Sequence, residues 1–262
     1  MSYLKFDKVL SLVKGILLFC LLAFLPFTVC AQIGEYRNEF AVGVNGGLSM
    51  STIDFLPEVP QSQLMGKTVG LTMRYTGEKY FKSICAIVAE VNYTQMGWQQ
   101  RIWDLEDQPV INSLTKEPEE YSRKINYIQV PVFARLGWGR ERRGLQAYFQ
   151  AGPQVGYMLS EKTEANYDLE RANLYNRASP VYNQETMPVE NKFDYGIAAA
   201  LGVELSLRRL GHFMLEGRYY YGLGNIYGNS KRDYFAKSPY QNIVVKATYL
   251  FDITRSKNPK IK

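Results

Sequence analysis

Histidine is nearly missing from this chain, with His212 its sole example, and cysteine is scarce: three in 262 residues, at positions 20, 30 and 85. One histidine excludes a histidine metal cluster and leaves no Ser, His, Asp set near the predicted loops. His212 follows the short turn "RRLG" and reads as an ordinary strand-end residue. Two of the cysteines fall in a segment expected to be removed, so Cys85 is alone, which excludes an internal disulfide framework and leaves a small residue filling a strand face. No run after the first thirty residues is long and apolar enough for a membrane helix. A strong charge of one sign is lacking as well. Without the three lysines and one aspartate of the first 31 residues, 28 basic and 24 acidic side chains remain, a net of +4 that gives no argument for nucleic acid.

What is present begins with a leader. Lys5, Lys8 and Lys14 precede an uncharged stretch from Gly15 to Val29, followed by "CAQ". A basic start, an apolar middle and small residues before a break predict a secretory signal peptide over 1–31, cleaved between Ala31 and Gln32. The run is short and interrupted by Pro26. Val29 before Cys30 argues against the alternative, a lipoprotein signal.

Beyond the leader, eight segments show period-two alternation or strand composition: 40–50, 66–76, 83–97, 124–138, 145–159, 193–208, 211–223 and 241–253. The joins alternate in length. Residues 77–82, 139–144 and 208–211 form short turns, whereas 51–65, 98–123, 160–192 and 224–240 are long and polar. Short and long joins in alternation around an even number of strands are a feature of barrels in an outer membrane, with turns in the periplasm and loops outside.

The two faces of each strand support this. In "INYIQVPVFARLGWG" (125–139), Ile128, Val130, Val132, Ala134, Leu136 and Trp138 share one face, and Tyr127, Gln129, Pro131, Phe133 and Arg135 the other. A membrane barrel turns the first set to lipid and the second to a small lumen. The lumen-facing charges predicted in this way are Arg74, Glu90, Arg135, Glu204, Glu216, Arg218 and Lys246, nearly balanced in sign, and Gly152, Gly156, Gly196 and Gly202 share their face. Charges in so narrow a space have to be paired, so they predict a structural salt-bridge plug, whereas no motif supports a proton or ion relay. Outward aromatics sort into two girdles: Phe40, Tyr75, Trp138, Phe213, Tyr249 and Phe251 near the periplasm, and Tyr93, Tyr157, Phe193, Tyr195, Tyr219 and Tyr221 near the outside. Pro131 cannot donate to a ladder, so it predicts a break or bulge in the fourth strand.

Other candidate chemistry is thin. Asp104, Glu106 and Asp107 read as solvated loop acids before a loose cation site, and the glycine-rich 43–47 and 222–228 lack the following helix of a phosphate loop. The tyrosine- and charge-rich loop 165–184 suits protein or glycan contact.

Three stretches, "VAEVNYTQMGW" (88–98), "INYIQVPVFARLG" (125–137) and "LQAYFQAGPQVGYMLS" (145–160), carry a resemblance. Through Glu90, Tyr93 and Gly97, the Tyr127 to Pro131 spacing, and the Gly152–Pro153 pair, the chain resembles the Bacteroidetes outer-membrane β-barrel family that includes the PorT protein of the type IX secretion system. The likeness implies a barrel and an outer-membrane location. It specifies no activity. Barrels of this kind often end on an aromatic residue, whereas here Phe251 is followed by eleven further residues, "DITRSKNPKIK".

The expectation is therefore an all-β, eight-stranded, antiparallel up-and-down transmembrane barrel over 40–253. A signal peptide (1–31) and a periplasmic lead-in (32–39) precede it, and a basic tail (254–262) follows. It is expected to be a monomer in outer-membrane lipid, without enzymatic activity, cofactor or metal, and without nucleic acid. It would act through contacts with secretion-machinery or surface proteins. The alternative is a small-solute channel or ligand-binding barrel open to the outside.

Overall fold

The computed structural model describes residues 35–256, apart from 113–114, 142, 169–176, 180, 182, 208–209 and 229–233. The predicted signal peptide with its cleavage point, residues 32–34 of the lead-in, residues 257–262 of the tail and the middle of the 165–184 loop lie outside the described residues.

Eight strands form one closed antiparallel ring in sequence order: β1 (Glu35–Ile53), β2 (Ser62–Tyr80), β3 (Ser83–Arg101), β4 (Glu120–Gly139), β5 (Gly144–Ala165), β6 (Phe193–Leu207), β7 (Gly211–Gly222) and β8 (Tyr240–Thr254). Closure runs from β8 to β1, with Val44 opposite Tyr249 and Leu48 opposite Val245. One helical turn, α1 (Asn183–Thr186), interrupts the third long join. Among the described residues no helix is long and apolar enough to cross a membrane.

Period-two alternation is what makes these segments strands, and it survives in their burial. In β4, Tyr127, Gln129, Pro131, Phe133 and Arg135 are buried inside while Ile128, Val132, Leu136 and Trp138 are exposed outside. The outer surface is correspondingly apolar: Leu71, Val69, Ile197, Leu201 and Leu215 are each more than half exposed. In water such a surface would be prohibitive, and in lipid it is the favoured one.

The strands run 12 to 22 residues, longer than the nine to eleven or so that a tilted membrane strand needs. Several therefore project past the apolar band. β1 starts at Glu35, so residues 35–39 of the expected lead-in are already strand, and the barrel closes at Thr254. The join expected at 77–82 shrinks to Phe81 and Lys82, because β2 continues to Tyr80 through a bulge at Gly77, where the register shifts between Thr76 and Glu78. A bulge absorbs one residue without ending the ladder.

Pro131 does not break the alternation. Its β3 neighbours Glu90 and Val91 drop out of the pairing there, but the register resumes unshifted from Ala89↔Val132 to Asn92↔Gln129. The true irregularity in β4 lies between Asn126 and Tyr127, opposite β5. The proline costs one ladder bond and leaves the faces as they were.

Two glycines are required by close approach. Gly97 has φ +154°, and a Cβ there would sit 1.8 Å from the Arg123 carbonyl oxygen. A Cβ at Gly202 would sit 2.4 Å from Tyr148 Cζ, so its absence is what admits the Tyr148 ring to the lumen.

Candidate functional site: a filled lumen and a closed outer mouth

Inward side chains from seven of the eight strands, β2 to β8, meet across the barrel, most of their charges in two layers. Nearer the periplasm, Arg74 from β2 donates through Nη1 to both Glu204 oxygens, at 2.8 and 2.7 Å. Arg135 from β4 also pairs with Glu204, donates to Gln146 Oε1 at 3.2 Å, and lies 3.7 Å over the Tyr148 ring. His212 completes this layer. Its Nδ1 lies 2.6 Å from Glu204 Oε1 and its Nε2 3.0 Å from Asp252 Oδ1. Two arginines face two carboxylates, with the imidazole wedged between the acids. A cavity of about 20 Å³ beside Arg74, Arg135, Glu204 and His212 has room for a single water.

The second layer lies deeper. Arg218 from β7 donates to both Glu90 oxygens at 2.9 Å and to Glu216 Oε1 at 2.7 Å. Lys246 from β8 donates to Glu90 Oε1 at 2.6 Å. Asn92 caps the other Glu90 oxygen at 2.8 Å, while Tyr148 and Gln150 donate to Glu216 Oε2 at 3.0 Å each. Two cations and two anions leave this layer neutral, and the extra donors satisfy the remaining lone pairs, the condition under which buried ions are tolerated. Arg74, Glu90, Arg135, Glu204, Glu216, Arg218 and Lys246 are each 7 % exposed or less. They divide as Arg74, Arg135 and Glu204 against Glu90, Glu216, Arg218 and Lys246. Glu204 meets neither Glu216 nor Arg218.

At the periplasmic opening Arg37, 1 % exposed, reaches Glu35 at 2.8 Å and Glu141 at 3.2 Å, and Lys79 also pairs with Glu141. The outer opening closes by different means. The long joins, expected to be polar, send apolar side chains inward: Phe55, Val59, Val189, Ile226 and Phe235 join Trp98, Tyr121 and Tyr227 in one cluster. Phe55 meets Trp98 edge-on at 5.5 Å, and Phe235 lies 4.9 Å from Phe55 and 5.3 Å from Tyr227. Arg123 sits 5.4 Å over Trp98 and donates to the Met187 carbonyl at 2.6 Å and the Glu185 carbonyl at 3.2 Å, which ties α1 to the mouth.

Above the cap, Arg177 pairs with Glu185 at 2.7 Å, and Tyr167 donates to the same carboxylate at 2.8 Å. Burial works to lower the Arg177 value, but Glu185 and Tyr167 outweigh it and hold the guanidinium above its ordinary range. Burial also pushes the Glu119 carboxyl up, partly offset by Arg177.

The outward aromatics of the two expected girdles lie on the outer face. Tyr75, Trp138, Phe213 and Phe251 are 38 to 48 % exposed at the periplasmic end, with Tyr249 packed 4.8 Å from Phe213. Tyr93, Tyr157, Tyr195 and Tyr219 are exposed at the outer end, with Phe193 stacked 6.1 Å from Tyr195 and Tyr221 half-buried beside them. Phe40 lies opposite Tyr75.

Asp104, one of the candidate cation ligands, instead accepts from the Glu106 and Gln108 amides at 2.9 Å, which makes it a turn residue. Among the described residues no three His, Cys, Asp or Glu side chains are grouped to hold a metal. Sequence reasoning missed Arg37, His212, Asp252 and Tyr148 in the lower barrel and the Arg123 clamp in the upper one. Arg123 could have been found, because Tyr121 and Arg123 continue the inward alternation of Ile125 and Tyr127 above the expected strand start.

Fold and site together define an eight-stranded membrane barrel with long extracellular loops, short periplasmic turns and a lumen filled by its own side chains. The family described as outer membrane protein beta-barrel domain matches residues 30–228, and the chain belongs to it. That places it in the outer membrane. Among solved structures it is similar to Neisserial surface protein A at 10 % identity, with 81 % of this chain and 97 % of that one covered and a TM-score of 0.40. Ail of Yersinia pestis (12 %, 83 % and 99 % covered, TM-score 0.33) and OprG from Pseudomonas aeruginosa (14 %, 83 % and 98 % covered, TM-score 0.35) are similar in the same sense. No curated protein sequence matches the chain.

Proposed function

We propose that this protein is a non-conducting, non-enzymatic accessory barrel that acts through protein contacts at its extracellular loops, in support of secretion or surface assembly as in the PorT family it resembles. The carrying observation is the double closure, two ion-pair layers in the barrel and an aromatic cap over its mouth. A solute channel needs a continuous wet path and a ligand barrel needs a cavity, whereas side chains occupy this lumen. What the barrel offers to the outside is therefore its folded loops, the third held to the wall by the Arg123 clamp and to the second by the Asp104–Arg177 bridge, and the first held to the fourth by the Leu56–Lys237 bridge.

The test is photo-crosslinking in intact cells. A photoreactive residue at Leu105 or Tyr234, both exposed in loops, should give discrete protein adducts, while the same residue at Leu71 on the lipid face should give none. Adducts absent from both loop sites would overturn the contact reading.

A further inference from the structure

The wall of the barrel is not of even height. β4 and β5 stay paired up to Tyr121↔Ala165, but β6 joins β5 only from Tyr157↔Phe193 downward. Met158 N still donates to the Lys192 carbonyl at 2.8 Å, and above that the chain leaves the sheet. The reason is local. Asn191 is drawn inward by bonds to the Asn225 and Tyr227 carbonyls, at 2.8 Å each, and Val189 is buried in the cap. Leu159–Ala165 of β5, "LSEKTEA", is therefore strand on one side only. Roughly half of its N–H and C=O groups point toward a lane that no strand fills among the described residues. Residues 159–164 are exposed, and they lie beyond Tyr157 of the outer girdle, in water.

We propose that this edge is a docking site for an extended, basic polypeptide segment of another protein, which adds to β5 as a ninth strand running antiparallel to it. The inference rests on the protein-contact reading and gives it a location. Direction selects the occupant. The empty lane continues β6, so it takes a strand running from outside toward the membrane, whereas a second copy in the same membrane presents its own β5 running outward. Charge selects the chemistry. Lys162 and Lys124 both pair with Glu164, at 2.8 and 2.9 Å, which leaves Glu161 as an exposed acid that no cation among the described residues pairs. Main-chain bonds would supply the affinity and a basic side chain opposite Glu161 the selectivity. The alternating charges are what keep so open an edge from pairing indiscriminately.

The experiment follows amide hydrogen exchange at 159–165 in the full-length barrel in lipid nanodiscs. The probes are the peptide Thr-Lys-Thr-Lys-Thr-Lys-Thr and the same peptide N-methylated at alternate residues. The edge-facing amides should exchange fast in the free barrel and at least tenfold more slowly with the first peptide, with no change from the N-methylated one. In Glu161→Lys the basic peptide should lose its effect, and an acidic counterpart, Thr-Glu-Thr-Glu-Thr-Glu-Thr, should acquire it. Amides already slow in the free barrel, or unchanged by the peptide, would overturn the proposal. Loop adducts from Leu105 without edge protection would remove the edge and leave the contact reading standing. Edge protection without loop adducts would do the reverse.

Discussion

Glu204 is the acid whose loss should cost most. It meets Arg74, Arg135 and His212 at once and is 2 % exposed, whereas Asp252 lies on the far side of the imidazole and Glu39 and Glu141 line the same small cavity without pairing either arginine. Glu204→Gln keeps the shape and removes the charge, which leaves two guanidinium groups facing each other in a buried space. Breaking a buried pair from one side costs about 3 to 5 kcal/mol. At about 2 to 4 °C per kcal/mol for a chain of this size, that is a fall of about 6 to 20 °C in the temperature at which heat-modifiable migration on gels is lost. Glu117→Gln, at an exposed loop acid, should leave the transition where it is. The triple variant Glu204→Gln, Arg74→Met, Arg135→Met should recover most of the loss, because apolar replacement of a whole buried ion group is often neutral or stabilising. If Glu204→Gln and Glu117→Gln melt together, the lower layer does not hold the barrel, and the reasoning fails at that point.

Three further outcomes are expected. Gly202→Val should destabilise by about 1 to 3 kcal/mol through overpacking, since Tyr148 is held by Glu216 and Arg135 and cannot retreat; thermal melting of the purified barrel checks it. Trp98→Ala should cost about 3 to 5 kcal/mol and make the loops more sensitive to protease on intact cells. That variant should still not conduct, because both ion-pair layers remain below the cap. An epitope inserted at Glu106 should be reachable from outside intact cells, whereas one at Glu141, in the turn between β4 and β5, should not; labelling at Glu141 in sealed cells would reverse the orientation.

The faces of the strands were legible because alternation is a local property. Ile128 against Gln129, or Leu215 against Glu216, can be sorted without knowing any neighbour. Partnership was not legible in the same way. Arg74, Arg135 and Glu204 sit on β2, β4 and β6 and meet only once the ring has closed, so seven inward charges could be named but not divided into layers. His212 looked idle for the same reason, since Asp252 approaches it from β8. Pro131 misled because a missing donor suggests a break, yet a ladder spanning twenty residues of β4 tolerates one gap. The loops were hardest. Phe55, Val59, Ile226 and Phe235 are scattered among polar residues with no period, and only the closed mouth gives them a common destination.

The sealed lumen is tested most directly by ion conductance of the purified full-length barrel in planar bilayers. With both layers intact and the cap in place, the membrane should stay silent under applied voltage, in the native protein and in Trp98→Ala alike. Discrete, reproducible conductance steps from the native protein would contradict it, for they require a continuous water path through the ring of Glu90, Glu216, Arg218 and Lys246.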